Sequence, residues 1–260
     1  MSGKSKESCR IVSQECIGED IYSMWLQTEH IAEHAAPGQF VSLYTRDGSK
    51  LLPRPISLCE IDQEQGRIRL VYRVTGKHTG TESFSRLHAN VPVETLGPLG
   101  NGFPLKEARG KKVFLMGGGI GIPPMLETAR QLDAEKTIIL GYRDELFLKD
   151  EFEAYGRVYV ATEDGSAGTK GNVMDVIREQ ALDAEVIFAC GPAPMLRAVK
   201  AYAKAKNIPC WISMEERMAC GIGACLGCVC QSKEIDSHSH VHNKRVCKDG
   251  PVFLSTEVEL

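Results

Sequence analysis

The sequence predicts a multi-domain β plus α/β protein: an N-terminal β-barrel, a central parallel α/β domain and a C-terminal cysteine module. Three observations predict it. Short runs of strand character crowd the first hundred or so residues, strands and helices then alternate, and five of the ten cysteines fall after residue 219. The expected limits are 1–108, 109–212 and 213–260.

In the first unit the strand runs are RIVSQECI, IYSMWLQTE, QFVSLYT, PISLCEID, RIRLVYRV and VPVETLG. Pro37-Gly38, Asp47-Gly48, Gly66, Gly76 and Gly97-Pro98 punctuate them as turns. Short strands at regular spacing between turn residues predict a barrel or sandwich. In the second unit KKVFLM is an apolar strand, GGGIG a tight turn, and PPMLETARQL a helix with proline at its start. TIILGY and RVYVAT read as strands, NVMDVIREQAL as a helix, EVIFAC as a strand and APMLRAVKAYAKAK as a helix. Strands alternating with helices build a parallel sheet. Regular periodicity ends near residue 213.

Composition narrows the function classes. The net charge of −3 gives no electrostatic case for nucleic acid as partner. No apolar run approaches the roughly 20 residues that span a bilayer, so no membrane is expected. The N-terminal MSGKSKESCR has no apolar stretch behind it, so it does not read as a secretory signal. The expected location is cytoplasmic, where thiols stay reduced. Ten cysteines there point to metal or redox chemistry.

Residues 216–230 read ERMACGIGACLGCVC. Cys220, Cys225 and Cys228 follow the C-x4-C-x2-C spacing of plant-type [2Fe–2S] ferredoxins, with Cys230 close behind and Cys247 the one distant cysteine after them. Gly221, Gly223 and Gly227 let a loop wrap closely and aim amide N–H groups at sulfur. Zinc is the rival, but it usually takes two C-x2-4-C knuckles, and Cys247 has no such companion. Cys230 reads as a spare thiol. His238, His240 and His242 alternate in a polar tract and read as solvated side chains, with metal binding as the other option.

LMGGGIGIPPML puts Gly117, Gly118, Gly119 and Gly121 between a strand and a helix, where free N–H groups would suit a pyrophosphate. It is not G-x-G-x-x-G, and on its own the signal is weak. Cys190-Gly191-Pro192 marks a second strand-to-helix junction, the kind of place where open α/β folds bind ligands. Together they make the central unit a candidate nucleotide-binding domain. Glu163 and Asp164 follow the third strand and favour a free ribose hydroxyl, hence NAD over NADP, against which Arg143 and Lys170 weigh. In the barrel, RPISL offers Arg54 for phosphate oxygens and Ser57 for a flavin ring atom. Taken singly, it is a strand with one surface arginine.

Joined together, RPIS, VYR (Val71–Arg73), GKHTGT (Gly76–Thr81), GPLGNGF (Gly97–Phe103), GGGIG and CGP resemble the ferredoxin reductase superfamily. With ERMACGIGACLGCVC and the closing VCKDGPVF, the chain from about residue 10 to 260 is most similar to the electron-transfer subunits of class B dihydroorotate dehydrogenase. The resemblance implies an FAD-binding barrel, with Arg54, Pro55, Ile56, Ser57, Val71, Tyr72 and Arg73 at the flavin and the following turn at its pyrophosphate. Where the family has a short G-x-G-T turn, this chain has GKHTGT, so both His78-Thr79 and Gly80-Thr81 are candidates. It implies Cys220, Cys225, Cys228 and Cys247 as [2Fe–2S] ligands, although the interval from Cys228 to Cys247 is long.

The implied cofactors are FAD, a [2Fe–2S] cluster and NAD. Nicotinamide exchanges a hydride and the cluster single electrons; a flavin does both and belongs between them. The implied partner is an FMN-containing catalytic subunit in a heterotetramer that oxidises dihydroorotate in pyrimidine biosynthesis. Electrons would pass from FMN through the cluster and FAD to NAD⁺. No acid–base site for a carbon substrate is evident in this chain. The competing readings are a related subunit for sulfide or ferredoxin–NADP chemistry, a redox-sensing module and a zinc-stapled flavoprotein.

Overall fold

The computed structural model describes residues 3–235 and 240–260. Its strands are β1 (Ser5–Gly18), β2 (Ile21–Gln27), β3 (Phe40–Tyr44), β4 (Arg54–Asp62), β5 (Arg67–Arg73), β6 (Pro92–Leu99), β7 (Lys112–Gly118), β8 (Glu135–Tyr142), β9 (Arg157–Thr162), β10 (Thr169–Lys170), β11 (Val186–Cys190), β12 (Cys210–Ser213), β13 (Val229–Gln231), β14 (Asn243–Arg245) and β15 (Val252–Leu254). The helices are α1 (Ile31–His34), α2 (Gly80–Ser85), α3 (Leu105–Ala108), α4 (Pro123–Gln131), α5 (Lys149–Phe152), α6 (Val173–Glu179) and α7 (Ala193–Lys206).

The first six strands close an antiparallel barrel in the order β1-β2-β5-β4-β3-β6. Period-2 alternation explains it: Val41 and Leu43 of β3 enter the barrel core with Met24, Leu26, Leu58 and Leu70, while Phe40 and Ser42 face outward. Closure leaves no free sheet edge.

The second sheet runs β10-β9-β8-β7-β11-β12-β15 and is parallel except for β15. Its central strands are apolar on both faces, as a sheet covered by helices requires. Phe114, Met116 and Ile187 pack under α6 and α7, whereas Val113, Leu115 and Phe188 pack under α4. Asn172 and Asp175 form a capping box on α6, and Asn207 ends α7 in the left-handed region.

Two local expectations are corrected. Gly117 and Gly118 belong to β7, paired with Leu140 and Gly141 of β8, so the tight turn begins only at Gly119. After residue 213 the chain is not wholly irregular, because β13 and β14 form a hairpin and β15 returns to pair with β12.

Ionic and polar contacts weld the barrel to the α/β domain. Glu127 of α4 is fully buried and accepts the backbone N–H of Ile61 in β4 at 3.0 Å. Arg69 of β5 reaches Glu60 on the barrel and Glu151 of α5. No helix among the described residues is long and apolar enough to cross a membrane.

Candidate functional site

Between the two domains lies a cleft of about 290 Å³. The start of β4 supplies Arg54, Pro55, Ile56 and Ser57 to its wall, and the end of β5 supplies Val71, Tyr72 and Arg73. Adjacent antiparallel strands bring these two strips together. Tyr72 turns its ring inward, stacking on Tyr22 at 6.0 Å and donating its hydroxyl to Gln14 at 2.9 Å. Its ring thus serves the barrel core.

The turn after β5 distinguishes the two Gly-Thr candidates. Gly80 and Thr81 are buried, Thr81 lines the cleft, and a Cβ on Gly80 would stand 2.6 Å from Arg54 Nε. His78 is exposed at φ +61°, and Thr79 caps α2 by accepting from Glu82 N at 3.2 Å. Gly80 is therefore the position where an arginine guanidinium lies against bare backbone, a cradle suited to phosphate oxygens.

The glycine turn and the Cys190-Gly191-Pro192 turn are neighbours, because β7 and β11 pair with Gly117 opposite Cys190. Strand order reverses there, β8 and β9 lying to one side of β7 and β11 and β12 to the other. Open α/β sheets bind dinucleotides at such a switch point. A Cβ on Gly121 would stand 2.5 Å from the carbonyl oxygen of Cys190, a backbone atom that cannot move aside. Gly121→Ala is expected to spread the two turns and weaken nicotinamide-nucleotide binding about tenfold or more, measured by titration of the folded variant with NADH. Beyond β9, Asp164 accepts from Ser166 N at 3.0 Å and Oγ at 2.7 Å, which holds its pKa down. Arg143 pairs with Asp144 at 3.1 Å.

The cysteines stand as two pairs. Cys220 and Cys225 have their sulfurs 3.3 Å apart, and Cys247 N points at Cys228 Sγ at 3.4 Å. Burial resists ionisation of Cys220, but amide N–H groups of Cys225, Ile222 and Ala224 outweigh it and bring its pKa down to about 6. Burial, with Cys228 alongside, pushes Cys247 up to about 12. Among the described residues no group of three or more His, Cys, Asp or Glu side chains is gathered to hold a single metal ion. Two thiol pairs with amides aimed at sulfur fit the four-thiolate donor set that a [2Fe–2S] cluster would take. Cys230 instead buries its thiol and donates to Lys244 O at 3.5 Å across the hairpin. His240 and His242 are exposed, His242 against Lys233 O at 2.9 Å; His238 lies outside the described residues.

Several cleft residues carry no local sequence signal. Phe40, Ile120, Met214, Glu215 and Met218 all line it. Glu215 is exposed at the rim of the cleft, and the protein atoms around its carboxyl still raise its pKa by desolvation. Only its place two residues beyond β12 and five before Cys220 could have pointed to it.

A barrel facing a parallel nucleotide sheet across a flavin-sized cleft, with paired thiols alongside, defines an iron–sulfur flavoprotein reductase. Residues 215–259 match the family model of the iron–sulfur cluster binding domain of dihydroorotate dehydrogenase B. The chain is 43% identical over 262 aligned positions to the dihydroorotate dehydrogenase B (NAD(+)) electron transfer subunit of Bacillus caldolyticus, covering 98% of this chain and 99% of that one. The Bacillus cereus (strain B4264) counterpart is 44% identical with the same coverage. A solved structure of NADH-dependent reduced ferredoxin-NADP oxidoreductase aligns with TM-score 0.84 and 28% identity, over 97% of this chain and 90% of that chain. The protein belongs to the family of dihydroorotate dehydrogenase B electron transfer subunits.

Proposed function

We propose that this chain carries electrons between NAD and an FMN-containing catalytic subunit that oxidises dihydroorotate, in a cytoplasmic heterotetramer serving pyrimidine biosynthesis. FAD and a [2Fe–2S] cluster, when bound, supply the exchange between hydride and single electrons. The domain limits that go with this reading are 1–108 for FAD, 109–212 for NAD and 213–260 for the cluster.

In this reading Arg54 and Gly80–Thr81 hold the FAD phosphates, while Ser57, Val71 and Arg73 border the flavin ring. Gly119, Gly121 and the Cys190–Pro192 turn receive the nicotinamide nucleotide. Cys220 with Cys225, and Cys228 with Cys247, hold the two irons. The observation that carries it is adjacency: Phe40 lines the flavin cleft and also packs in one apolar core with Cys228 and Cys247. Ten free cysteines accord with a reducing compartment.

The first test is the visible spectrum of anaerobically purified protein before and after NADH. Flavin bands with a broad iron–sulfur shoulder, both bleached by NADH, are expected; a flavin spectrum without the shoulder would overturn the relay.

The cysteine loop also exposes Ile222, Leu226 and Val229, at 47%, 55% and 37%. Apolar side chains clustered at the cluster's edge suit a docking face for the catalytic subunit. Leu226→Glu would bury a charge there, and the subunit Kd should rise about tenfold or more, roughly 1.4 kcal/mol. Calorimetric titration of the two subunits measures it, and an unchanged Kd removes Leu226 from the interface.

A further inference from the structure

Among the described residues one buried side-chain oxygen or nitrogen finds no hydrogen-bond partner, the hydroxyl of Ser42. The residue is 1% exposed. Buried hydroxyls are almost always satisfied, and alanine would fill this strand position without the cost of stripping water from an oxygen. The orphan therefore asks for a partner that arrives with the cofactors.

Its position says which one. On β3 the alternation sends Val41 and Leu43 into the barrel core and places Phe40 and Ser42 on the outer face. Phe40 on that face touches both the flavin cleft and the apolar core around Cys228 and Cys247. Across the ladder Ser42 pairs with Pro55 of the flavin strip, which has no N–H to offer. The hydroxyl abuts the cysteine loop at Gly221, where an added Cβ would stand 2.9 Å from Ser42 Oγ. Gly221 has φ +70° and directly follows Cys220. A side chain there would both strain the loop and separate the hydroxyl from the cysteine site.

We propose that Ser42 tunes the iron–sulfur cluster: its hydroxyl, which makes no hydrogen bond to Cys220 itself, would donate to a cluster sulfide held beside that cysteine. Donors to cluster sulfur stabilise the more negative, reduced state and raise the reduction potential. The amides aimed at Cys220 come from the cysteine loop itself. Ser42 adds a donor from the flavin barrel, so the cluster's potential depends on how the loop seats against that barrel.

The inference rests on the ligand assignment proposed above. The test is a redox titration of the cluster in the cluster-loaded full-length protein, followed by electron paramagnetic resonance, with iron and sulfide content measured in parallel. In Ser42→Ala the one-electron reduction equilibrium should weaken about tenfold, a drop of about 59 mV in midpoint, with cluster content unchanged. Ser42→Thr, which keeps the hydroxyl, should stay near wild type. If alanine disturbs the strand, Ser42→Thr against Ser42→Val repeats the comparison at constant shape. Equal midpoints within both comparisons overturn the proposal. A Cys220→Ser protein with wild-type iron content and signal would instead bring down the ligand assignment. An intact assignment with an unmoved Ser42→Ala midpoint sinks only the role of Ser42.

Discussion

Cys225→Ser is expected to empty the cluster site while leaving the flavin half of the protein at work. Cys225 completes a pair with Cys220 at 3.3 Å, and in the proposed ligand set losing its thiolate would leave one iron with a single protein ligand. Disturbing groups that merely orient a ligand already costs about 10–100-fold in metal affinity, so removing the ligand itself should cost more. Iron and acid-labile sulfide should fall about tenfold or more, and NADH-dependent reduction of a one-electron protein acceptor should fall with them. FAD content and reduction of ferricyanide by NADH should survive, because Cys225 does not line the cleft between the domains. Cys230→Ser is the control. Its thiol sits six positions in sequence from Ala224 on the β13 hairpin and donates to Lys244 O, a contact serine can repeat, so iron should stay at the wild-type level. Full cluster content in Cys225→Ser, or its loss in Cys230→Ser, would show that the ligand set is wrong. Zinc in place of iron in the native protein would sink the relay itself.

How much of this was legible depends on whether the cause was local. The barrel strands follow from alternation between turn residues, and α7 coincides with APMLRAVKAYAKAK because a proline-led start and an apolar stripe are both written in the chain. Other features exist only through pairing at a distance. Val252–Leu254 is three residues long and becomes a strand because β12 offers it an open edge. Gly117 and Gly118 read as turn by composition, yet pairing with β8 holds them in the sheet. Sequence could not choose between His78-Thr79 and Gly80-Thr81, because the deciding neighbour, Arg54, lies 26 residues before Gly80. Ser42 is the same case: nothing in QFVSLYT says that its hydroxyl will face a loop nearly 180 residues further on.

The second large effect concerns the seam between the domains, where Glu127→Ala should cost about 3 kcal/mol of stability. The carboxylate is fully buried and accepts from Ile61 N at 3.0 Å and from Arg130 at 2.7 and 3.1 Å, with Gln131 also donating to it. Removing it strands the buried Ile61 N–H, worth about 1–3 kcal/mol, and leaves Arg130 with the Ile61 carbonyl but no carboxylate. Arg130 is 40% exposed, so water recovers part of its share, which keeps the total near the low end for a broken buried pair. Glu127→Gln keeps an acceptor for Ile61 and should lose only about 1 kcal/mol. Chemical denaturation at constant m-value separates the two. Equal losses would mean that charge, rather than the bond across the seam, matters. The seam also bears on function. Glu127 rides on α4, which directly follows the glycine turn, and Ile61 ends the same strand that begins with Arg54 and Ser57. Together with the Arg130 guanidinium, which donates to Ile61 O, this bond fixes the nucleotide turn relative to the flavin strip. Because hydride transfer is sensitive to displacements of about 1 Å, Glu127→Ala should slow flavin reduction by NADH more than it weakens NADH binding. Stopped-flow reduction over a range of NADH concentrations tests this: a raised Kd with an unchanged limiting rate would mean that the seam secures stability alone.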